Sequence, residues 1–236
     1  MTTHPIELVV LDIAGTTVDD GQQVYRVLGE TAVAHGADVT PADIERWHGS
    51  AKHEALRALL TPPGGQPPSA ERLQTVVADF RERLAAAYRA APPVPLPGIP
   101  EAIADLRAAG VKVALNTGFD RDIVDSLLET LNWQGDSVVD AVVCGSDVPI
   151  GRPAPFMVFQ AMQQLGVTDV ARVLVAGDTP RDLEAGTNAG AAYVVGVLSG
   201  AGTAEELGAH RHTHLLGSVA DLPRFLGVSV AAVALS

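Results

Sequence analysis

Leu8-Val9-Val10-Leu11-Asp12-Ile13-Ala14-Gly15-Thr16-Thr17-Val18-Asp19 is the stretch of sequence that decides the fold of this chain. Its first four residues form a short apolar run, which is typical of a strand buried on both faces of a parallel sheet. A carboxylate, Asp12, follows directly, and a Gly-Thr turn lies just beyond it. Ligands of open α/β sheets bind at the carboxyl ends of the strands. We therefore predict that Asp12 lies at the ligand-binding edge of an α/β domain.

Short apolar runs and helical segments alternate along the chain after residue 98. Strands are predicted at 111–116, 141–144, 172–176 and 192–197, and helices at 120–131 and 155–165. This alternation indicates a parallel sheet whose connections are right-handed crossovers. We therefore expect a doubly wound, Rossmann-like parallel sheet as the core.

Residues 20–95 interrupt this alternation with helical patterns alone. Helices are predicted at 22–35, 41–47, 51–60 and 70–90. A loop rich in Pro and Gly at 61–68 and a proline-rich linker at 91–98 separate them from each other and from the core. We predict an α-helical cap domain at 20–95, inserted into a core domain formed by 1–19 and 96–236. An insert that leaves and re-enters beside the ligand-binding edge is placed to act as a lid.

Composition limits the partners and the compartment that we expect. The 236 residues are 47% hydrophobic, enough for a substantial core, and their net charge of −12 argues against nucleic acid or an anionic membrane as a partner. A single cysteine, Cys144, permits no intrachain disulfide, and no signal peptide is recognisable. These features predict a cytoplasmic protein. The apolar tail at 228–235 is too short to cross a bilayer, so we expect a last strand or a packed terminus there.

Polar residues occur where the other predicted strands end. Thr117 offers a hydroxyl, Gly118 offers a main chain that a ligand can approach closely, and Arg152 offers a guanidinium. Asp178 and Asp182 offer two carboxylates. Backbone amides, a hydroxyl and an arginine together bind a phosphoryl group. Asp12 and Asp178 offer Mg²⁺ the carboxylate ligands that it prefers. With its charge offset by the metal, Asp12 is then predicted to attack phosphorus and form an aspartyl-phosphate.

These motifs, in this order, make the chain similar to the haloacid dehalogenase superfamily of phosphotransferases. The resemblance extends over nearly the whole chain, and it implies that the helical insert is the family's α-helical cap. It also implies a set of phosphate-binding residues formed by Thr16, Thr117, Gly118 and Arg152. The Mg²⁺ site that it implies consists of Asp12, Ala14 and Asp178, with Asp182 in support.

Within this superfamily the sequence resembles the phosphonoacetaldehyde hydrolases, or phosphonatases. The pattern Asp-x-Ala-Gly-Thr-Thr-Val-Asp at 12–19 carries the resemblance, as does 147–153 with arginine where most relatives have lysine. A cap lysine of that family forms a Schiff base with the substrate aldehyde, and the matching position here is Lys52. The resemblance implies a Mg²⁺-dependent hydrolase of a C–P bond, with Asp12 and Lys52 as catalytic residues. His48, which lies near Lys52 in the sequence, is a further candidate for the substrate site.

Ala14 lies where the related and very common arrangement has a second aspartate. That aspartate protonates the alkoxide that leaves a phosphate ester. A phosphonate leaves through carbon, and an iminium on the neighbouring carbon accepts the electron pair as an enamine. A lysine in the cap thereby replaces an acid in the core. Lys52, one of two lysines in the chain, lies near the start of a predicted helix, whose positive end disfavours an ammonium.

Three other functions remain open on the sequence alone. A phosphatase for a small phosphoester, such as phosphoglycolate, needs His48, His53 or water to protonate its leaving group. A haloacid dehalogenase also needs no acid, but those enzymes work without metal, whereas residues 177–182 have the form of a metal site. A protein that only binds a phosphorylated ligand has no use for the complete set of catalytic motifs.

Two residues near Lys52 depart from the phosphonatase pattern. His48 takes the place of a methionine, and Ala55 takes the place of a histidine. A proton relay through that histidine is therefore not expected in this chain. Tyr25, also in the predicted cap, is expected to pack in the cap core or at its interface.

Ordinary structural roles are alternatives for several of these residues. Asp178 and Asp182 have the positions of a helix N-cap and a first-turn carboxylate. Lys52 is open to interpretation as a solvated lysine or as one that binds the anionic end of a substrate. One of Thr16 and Thr17 is expected to form a hydrogen bond within its turn. A homodimer is a plausible assembly, given the alanine-rich cap.

Overall fold

A computed structural model describes residues 6–228 of the chain. Its strands are β1 (Leu8–Asp12), β2 (Val18–Asp19), β3 (Val94–Pro95), β4 (Lys112–Thr117), β5 (Ala141–Cys144), β6 (Val173–Gly177), β7 (Tyr193–Val197) and β8 (His214–Leu216). Six of them form one parallel sheet in the order β5-β4-β1-β6-β7-β8. The predicted doubly wound α/β fold is confirmed.

Some helices flank this sheet, and the others belong to the segment of chain between β1 and β4. The helices are α1 (Gln23–Ala34), α2 (Pro41–Glu45), α3 (Lys52–Leu59), α4 (Ala70–Ala90), α5 (Ile99–Ala108), α6 (Arg121–Leu131), α7 (Phe156–Leu165), α8 (Pro180–Ala189), α9 (Ala204–Gly208) and α10 (Leu222–Phe225). All four helices predicted between 20 and 95 form, and their bounds shift by at most two residues.

Strand β1 is completely buried and lies at the switch point of the sheet. It pairs with β4 on one side and β6 on the other, so the strand order reverses around it. Val9 and Leu11 belong to one hydrophobic cluster, and Leu8 and Val10 belong to another. Because both faces of the sheet are covered, the strand is apolar at every position rather than at alternate ones. Its last residue, Asp12, therefore emerges where ligands bind in this fold.

The two segments that join the core to α1 and α4 pair with each other. Val18 lies opposite Pro95 in the antiparallel pair of β2 and β3, and the Leu96 amide donates to the Thr17 carbonyl at 3.0 Å. The Gln23 side chain adds a hydrogen bond of 2.8 Å to the carbonyl of Ala91. The sequence predicts 91–98 only as a linker, because a two-residue strand has no periodicity and Pro95 lacks an amide donor.

Helices α1, α3 and α4 pack on one another through a common apolar face. Their buried residues include Val27, Leu28, Leu56, Phe80 and Leu84. Arg81 of α4 reaches the loop after β4, where it forms an ion pair of 2.5 Å with Asp120. The division of the chain into a cap at 20–95 and a core remains a prediction.

Two sequence predictions concern membranes and the terminus. None of the described helices combines the length and the apolar composition needed to span a bilayer. Apart from Val228, the predicted strand or packed terminus at 228–235 lies outside the described residues.

Candidate active site

Three buried carboxylates converge at the carboxyl edge of the sheet. Asp12 ends β1, while Asp178 and Asp182 follow β6. Their residues are only 5%, 1% and 2% exposed, respectively. One oxygen from each side chain lies within 4.8 Å of the others. Since β1 and β6 are neighbours in the sheet, carboxylates that are distant in sequence meet at one point.

The turn after Asp12 is closed by its own main chain. The amides of Thr17 and Val18 both donate to the carbonyl of Ile13 at 2.9 Å. The Thr17 hydroxyl donates to the carbonyl of Asp12 at 3.0 Å, so Thr17 is the threonine that forms a hydrogen bond within the turn. Gly15 has a φ of +85°, and a Cβ there would lie 2.5 Å from the Asp178 carboxylate. Glycine is therefore required at this position.

Asp178 is held by donors from two loops. The Thr16 hydroxyl donates to its Oδ1 at 2.8 Å, and the Ala201 amide donates to its Oδ2 at 2.7 Å. Burial, together with the negative charge of Asp12, raises the pKa of Asp178 to about 6. The Thr16 hydroxyl thus orients a carboxylate in this structure, and its predicted contact with phosphate stays a prediction.

The loop that supplies the Ala201 amide is missed by the sequence analysis. Ser199 in the same loop donates its hydroxyl to the Gly15 carbonyl at 2.8 Å. Almost any residue type can donate through its main-chain amide, so the amino acid at position 201 does not mark it as a donor. Only the position of this loop, directly after β7, indicates that it reaches the edge of the sheet.

Arg152 joins two of the carboxylates. Its Nη1 donates to Asp12 Oδ1 at 2.6 Å and also forms an ion pair with Asp182. Asp182 Oδ2 accepts hydrogen bonds from the amide and the hydroxyl of Thr179, which forms a capping box at the start of α8. Asp182 is therefore fixed by a helix and by Arg152 together, and its supporting role at a metal stays a prediction.

Two buried polar atoms at or near this edge have no hydrogen-bond partner among the described residues. They are Nε of Arg152 and Oδ1 of Asn116. Asn116 is the register partner of Asp12 on β4, and the sequence analysis did not select it. Unpaired buried polar groups are costly, and they favour a bound polar ligand that satisfies them.

The donor set fits a hard divalent cation. All three acidic ligand candidates offer carboxylate oxygens, which are the ligands that Mg²⁺ prefers. Arg152 contacts Asp12 and Asp182, whereas the contacts described for Asp178 are neutral hydrogen bonds. A cation at this point would balance the remaining negative charge. Ala14 belongs to the predicted metal set only through its main chain, because its side chain carries no ligand atom.

Lys52 is the first residue of α3 and is only 3% exposed, so its interpretation as a solvated lysine is wrong. Its ammonium nitrogen donates to the Ser50 carbonyl at 3.1 Å and lies 4.8 Å from the ring centroid of Tyr25. Burial, followed by the positive charge of Arg152, lowers the pKa of Lys52 to about 7, although Asp12 acts in the opposite direction. Close to neutral pH, a large fraction of this amine is uncharged.

The loop before Lys52 lies directly on the core. A Cβ at Gly118 would lie 2.5 Å from the Ser50 carbonyl oxygen, and a Cβ at Gly49, where φ is +72°, would clash with the hydroxyl of Thr179. The helical segment therefore contacts the ends of β4 and β6 through main chain. Thr117 is buried, and its hydroxyl accepts the Phe119 amide at 3.2 Å. The phosphate-binding roles of Thr117 and Gly118 stay predictions.

The two histidines beside Lys52 differ in their surroundings. His48 is half-buried and packs on Tyr25 with a centroid distance of 3.9 Å. Burial and the nearby Lys52 lower the pKa of His48 to about 4, so this imidazole is neutral at physiological pH. His53 is exposed on α3. Of the two, His48 is the one placed near the candidate site.

Comparison with known proteins gives a consistent assignment. Residues 6–190 match the family model of haloacid dehalogenase-like hydrolases. The chain is 34% identical over 206 residues to a phosphonoacetaldehyde hydrolase of Bacillus thuringiensis. This match covers 83% of this chain and 76% of that protein. A phosphonoacetaldehyde hydrolase-like protein from Oleispira antarctica superposes with a TM-score of 0.81 at 25% identity, over 95% of this chain and 92% of that one.

A third similarity concerns the fold alone. CbbY from Rhodobacter sphaeroides, solved in complex with phosphate, superposes with a TM-score of 0.75 over 92% of this chain and 96% of its own. Its sequence identity of 22% is too low to carry an argument about substrate.

Proposed function

This chain belongs to the haloacid dehalogenase-like hydrolases, and on that premise we propose that it hydrolyses the C–P bond of a small phosphonate with a neighbouring aldehyde, such as phosphonoacetaldehyde. The observation that carries the proposal is the buried amine of Lys52, whose pKa is lowered to about 7. It occurs in a site where position 14 has no acid and Asp12 is available as a nucleophile. We further propose that residues 20–95 form the cap that supplies this amine.

Asp12 is the proposed nucleophile toward phosphorus. Its carboxylate oxygen forms the O–P bond as the C–P bond breaks, which gives an aspartyl-phosphate. Arg152 orients Asp12 through Oδ1, and its buried Nε has a free donor for a phosphonate oxygen. When bound at Asp12 and Asp178, Mg²⁺ supplies positive charge that offsets the repulsion between the carboxylate and the anionic phosphonate. Water then hydrolyses the acyl phosphate and restores Asp12.

Lys52 is proposed to make carbon a good leaving group. Its neutral amine condenses with the aldehyde, and water leaves as the iminium forms. The electron pair of the C–P bond then moves into the new C=C bond of an enamine while Asp12 takes the phosphorus. Protonation of the enamine carbon and hydrolysis of the resulting imine release acetaldehyde and restore the amine. Apart from the positive charge of Mg²⁺ at Asp12, the steps need only the substrate, water and groups of this chain.

Trapping of the imine tests the proposal directly. Borohydride added with phosphonoacetaldehyde should produce a stable adduct on wild-type protein, detectable by intact mass, and the unreduced reaction should release acetaldehyde. Lys52→Ala should give neither product. Lys112→Ala is the matched control, because Lys112 is the other lysine of the chain and lies at the exposed first position of β4, where its amine donates to the Leu165 carbonyl. A wild-type protein with neither adduct nor acetaldehyde would overturn the proposal.

The substitution Ala14→Asp is expected to favour phosphate esters. A carboxylic acid at this position would protonate an alkoxide leaving group, and general acids of this kind contribute about 10²- to 10⁴-fold. Wild-type activity on esters should rise steeply with the acidity of the leaving group, and Ala14→Asp should flatten that dependence. The rate on phosphonoacetaldehyde should not rise. Measured rates over a panel of phosphate monoesters provide the check, and a flat wild-type dependence would favour a phosphatase with its own acid.

The substitution Asp178→Asn is expected to weaken Mg²⁺ binding by at least about tenfold, since it removes one ligand charge. Because the pKa of Asp178 is raised to about 6, wild-type affinity should also decline as the pH falls below about 6, where this carboxylate becomes protonated. Calorimetric titration with MgCl₂ measures both effects. Asp125→Asn, at an exposed position of α6, is the control. Unchanged Mg²⁺ affinity in Asp178→Asn would contradict the proposed metal site.

A further inference from the structure

Tyr25 of α1 lies against the candidate site through its hydroxyl end. The hydroxyl oxygen is buried and accepts the amide of Gly49 at 3.1 Å. Its ring contacts the Lys52 amine at 4.8 Å and the His48 ring at 3.9 Å, measured from the centroid in each case. The phenol is thus held by the same loop that leads into Lys52.

The surroundings of this hydroxyl leave its proton available. Tyr25 lines a cavity of about 140 Å³ together with Ala14 and Asp178. Burial, with the negative charges of Asp178 and Asp12, raises the pKa of Tyr25 above its usual value, so the phenol is protonated. Its oxygen accepts from Gly49, and no hydrogen bond from its proton is found among the described residues.

Other proton donors near Lys52 are less suitable. Position 55 is alanine, and His53 is exposed. His48 is neutral at physiological pH, because its pKa is lowered to about 4. Asp20, in the same cavity, accepts the amides of Gln22 and Val24 and the hydroxyl of Tyr88, so its carboxylate is occupied.

We propose that Tyr25 is a further catalytic residue, whose phenol O–H donates a hydrogen bond to the carbonyl oxygen of the aldehyde that Lys52 attacks. The inference rests on the proposed Schiff-base function and adds a residue to it. The carbonyl carbon would lie against the Lys52 amine over the Tyr25 ring, and its oxygen would face the cavity that Tyr25 lines with Ala14 and Asp178.

The proton transfers of this step balance. The lone pair of the Lys52 nitrogen forms the N–C bond, and the π pair of the carbonyl moves to oxygen, which takes the proton of Tyr25. The nitrogen, now positively charged, returns one proton to the phenolate. The product is a neutral carbinolamine, and Tyr25 is a phenol again, so no other donor is consumed.

Removal of the hydroxyl tests this role. Tyr25→Phe keeps the ring that packs on His48 and Lys52, and it should lower the rate of borohydride-trapped adduct formation with phosphonoacetaldehyde by about 10²-fold. The Mg²⁺-dependent release of nitrophenol from p-nitrophenyl phosphate should change little, since that reaction requires no carbonyl. Tyr193→Phe, which removes a tyrosine hydroxyl at the first residue of β7, is the matched control and should form the adduct at the wild-type rate.

The outcomes separate this inference from the proposed function. A wild-type protein that forms no adduct overturns both. A wild-type adduct that Tyr25→Phe forms at an equal rate overturns the role of Tyr25 and leaves the Schiff base intact. If Tyr25→Phe does not fold, protein labelled with 3-fluorotyrosine keeps the shape and changes only the acidity of the phenol. An unchanged rate and pH profile of adduct formation in the labelled protein would then overturn the role of Tyr25.

Discussion

Replacement of Asp12 by asparagine is expected to lower the proposed turnover of phosphonoacetaldehyde by at least about 10⁴-fold, because an amide oxygen is a poor nucleophile toward phosphorus. The substitution keeps the size of the side chain at the end of β1, and the amide still accepts a hydrogen bond from Arg152. Release of inorganic phosphate measures the effect. The borohydride-trapped adduct on Lys52 should still form, since condensation with the aldehyde precedes attack on phosphorus.

The control for this substitution is Asp19→Asn, at the last residue of the stretch 8–19. Asp19 is exposed, and its carboxylate accepts the Gly21 amide at 2.8 Å, so Asp19→Asn should keep turnover within about twofold of wild type. Thermal unfolding of both variants excludes a loss of fold as the cause. Phosphate release by Asp12→Asn at more than about a tenth of the wild-type rate would contradict the role of Asp12 as nucleophile.

The main architecture could be predicted from local patterns. Burial of β1 on both faces leaves a continuous apolar run from Leu8 to Leu11, and the carboxylate directly after it indicates the edge of the sheet. The first-turn carboxylate of α8, Asp182, is also a local feature that was predicted, whereas the N-cap is Thr179 and not Asp178, which the sequence offered for it. Such features depend on neighbours in sequence, so one chain is enough to recognise them.

The remaining parts of the site depend on contacts between distant segments. The Ala201 amide reaches Asp178 through its main chain, and residue type gives no indication of it. Tyr25 was predicted only to pack, because its proximity to Lys52 results from the way α1 and α3 fold together. The burial of Lys52 also results from tertiary packing, which the local sequence does not reveal. Helix position alone favoured a lowered pKa, whereas burial and Arg152 are its larger causes here.

Lys52→Met is expected to abolish cleavage of phosphonoacetaldehyde, with a loss of at least about 10⁴-fold in kcat/KM. Methionine has a similar length and is apolar, so it fills the space between Tyr25 and Phe119 without an amine. Without an iminium, the C–P bond has no acceptor for its electron pair. Acetaldehyde release measures the loss, and no borohydride adduct should form.

The pH dependence of the wild-type protein provides a second readout of the same amine. Lys52 has its pKa lowered from 10.5 to about 7, so the reactive neutral form predominates above about pH 7 and is lost as the pH falls below it. The rate of adduct formation should therefore rise up to about pH 7 and then level off. An unperturbed lysine would give a rate that keeps rising toward about pH 10.

We expect Lys52→Met to lose cleavage of the C–P bond and to keep the hydrolysis of phosphate esters. Asp12, Arg152 and Asp178 do not require the amine to react with a phosphate ester whose leaving group is already acidic. Mg²⁺-dependent hydrolysis of p-nitrophenyl phosphate should therefore persist within about threefold while C–P cleavage disappears. Equal loss of both activities, in a variant that unfolds at the wild-type temperature, would instead place Lys52 among the groups that bind the phosphoryl oxygens. The alanine at position 14 would then have no partner in the cap that compensates for the missing acid.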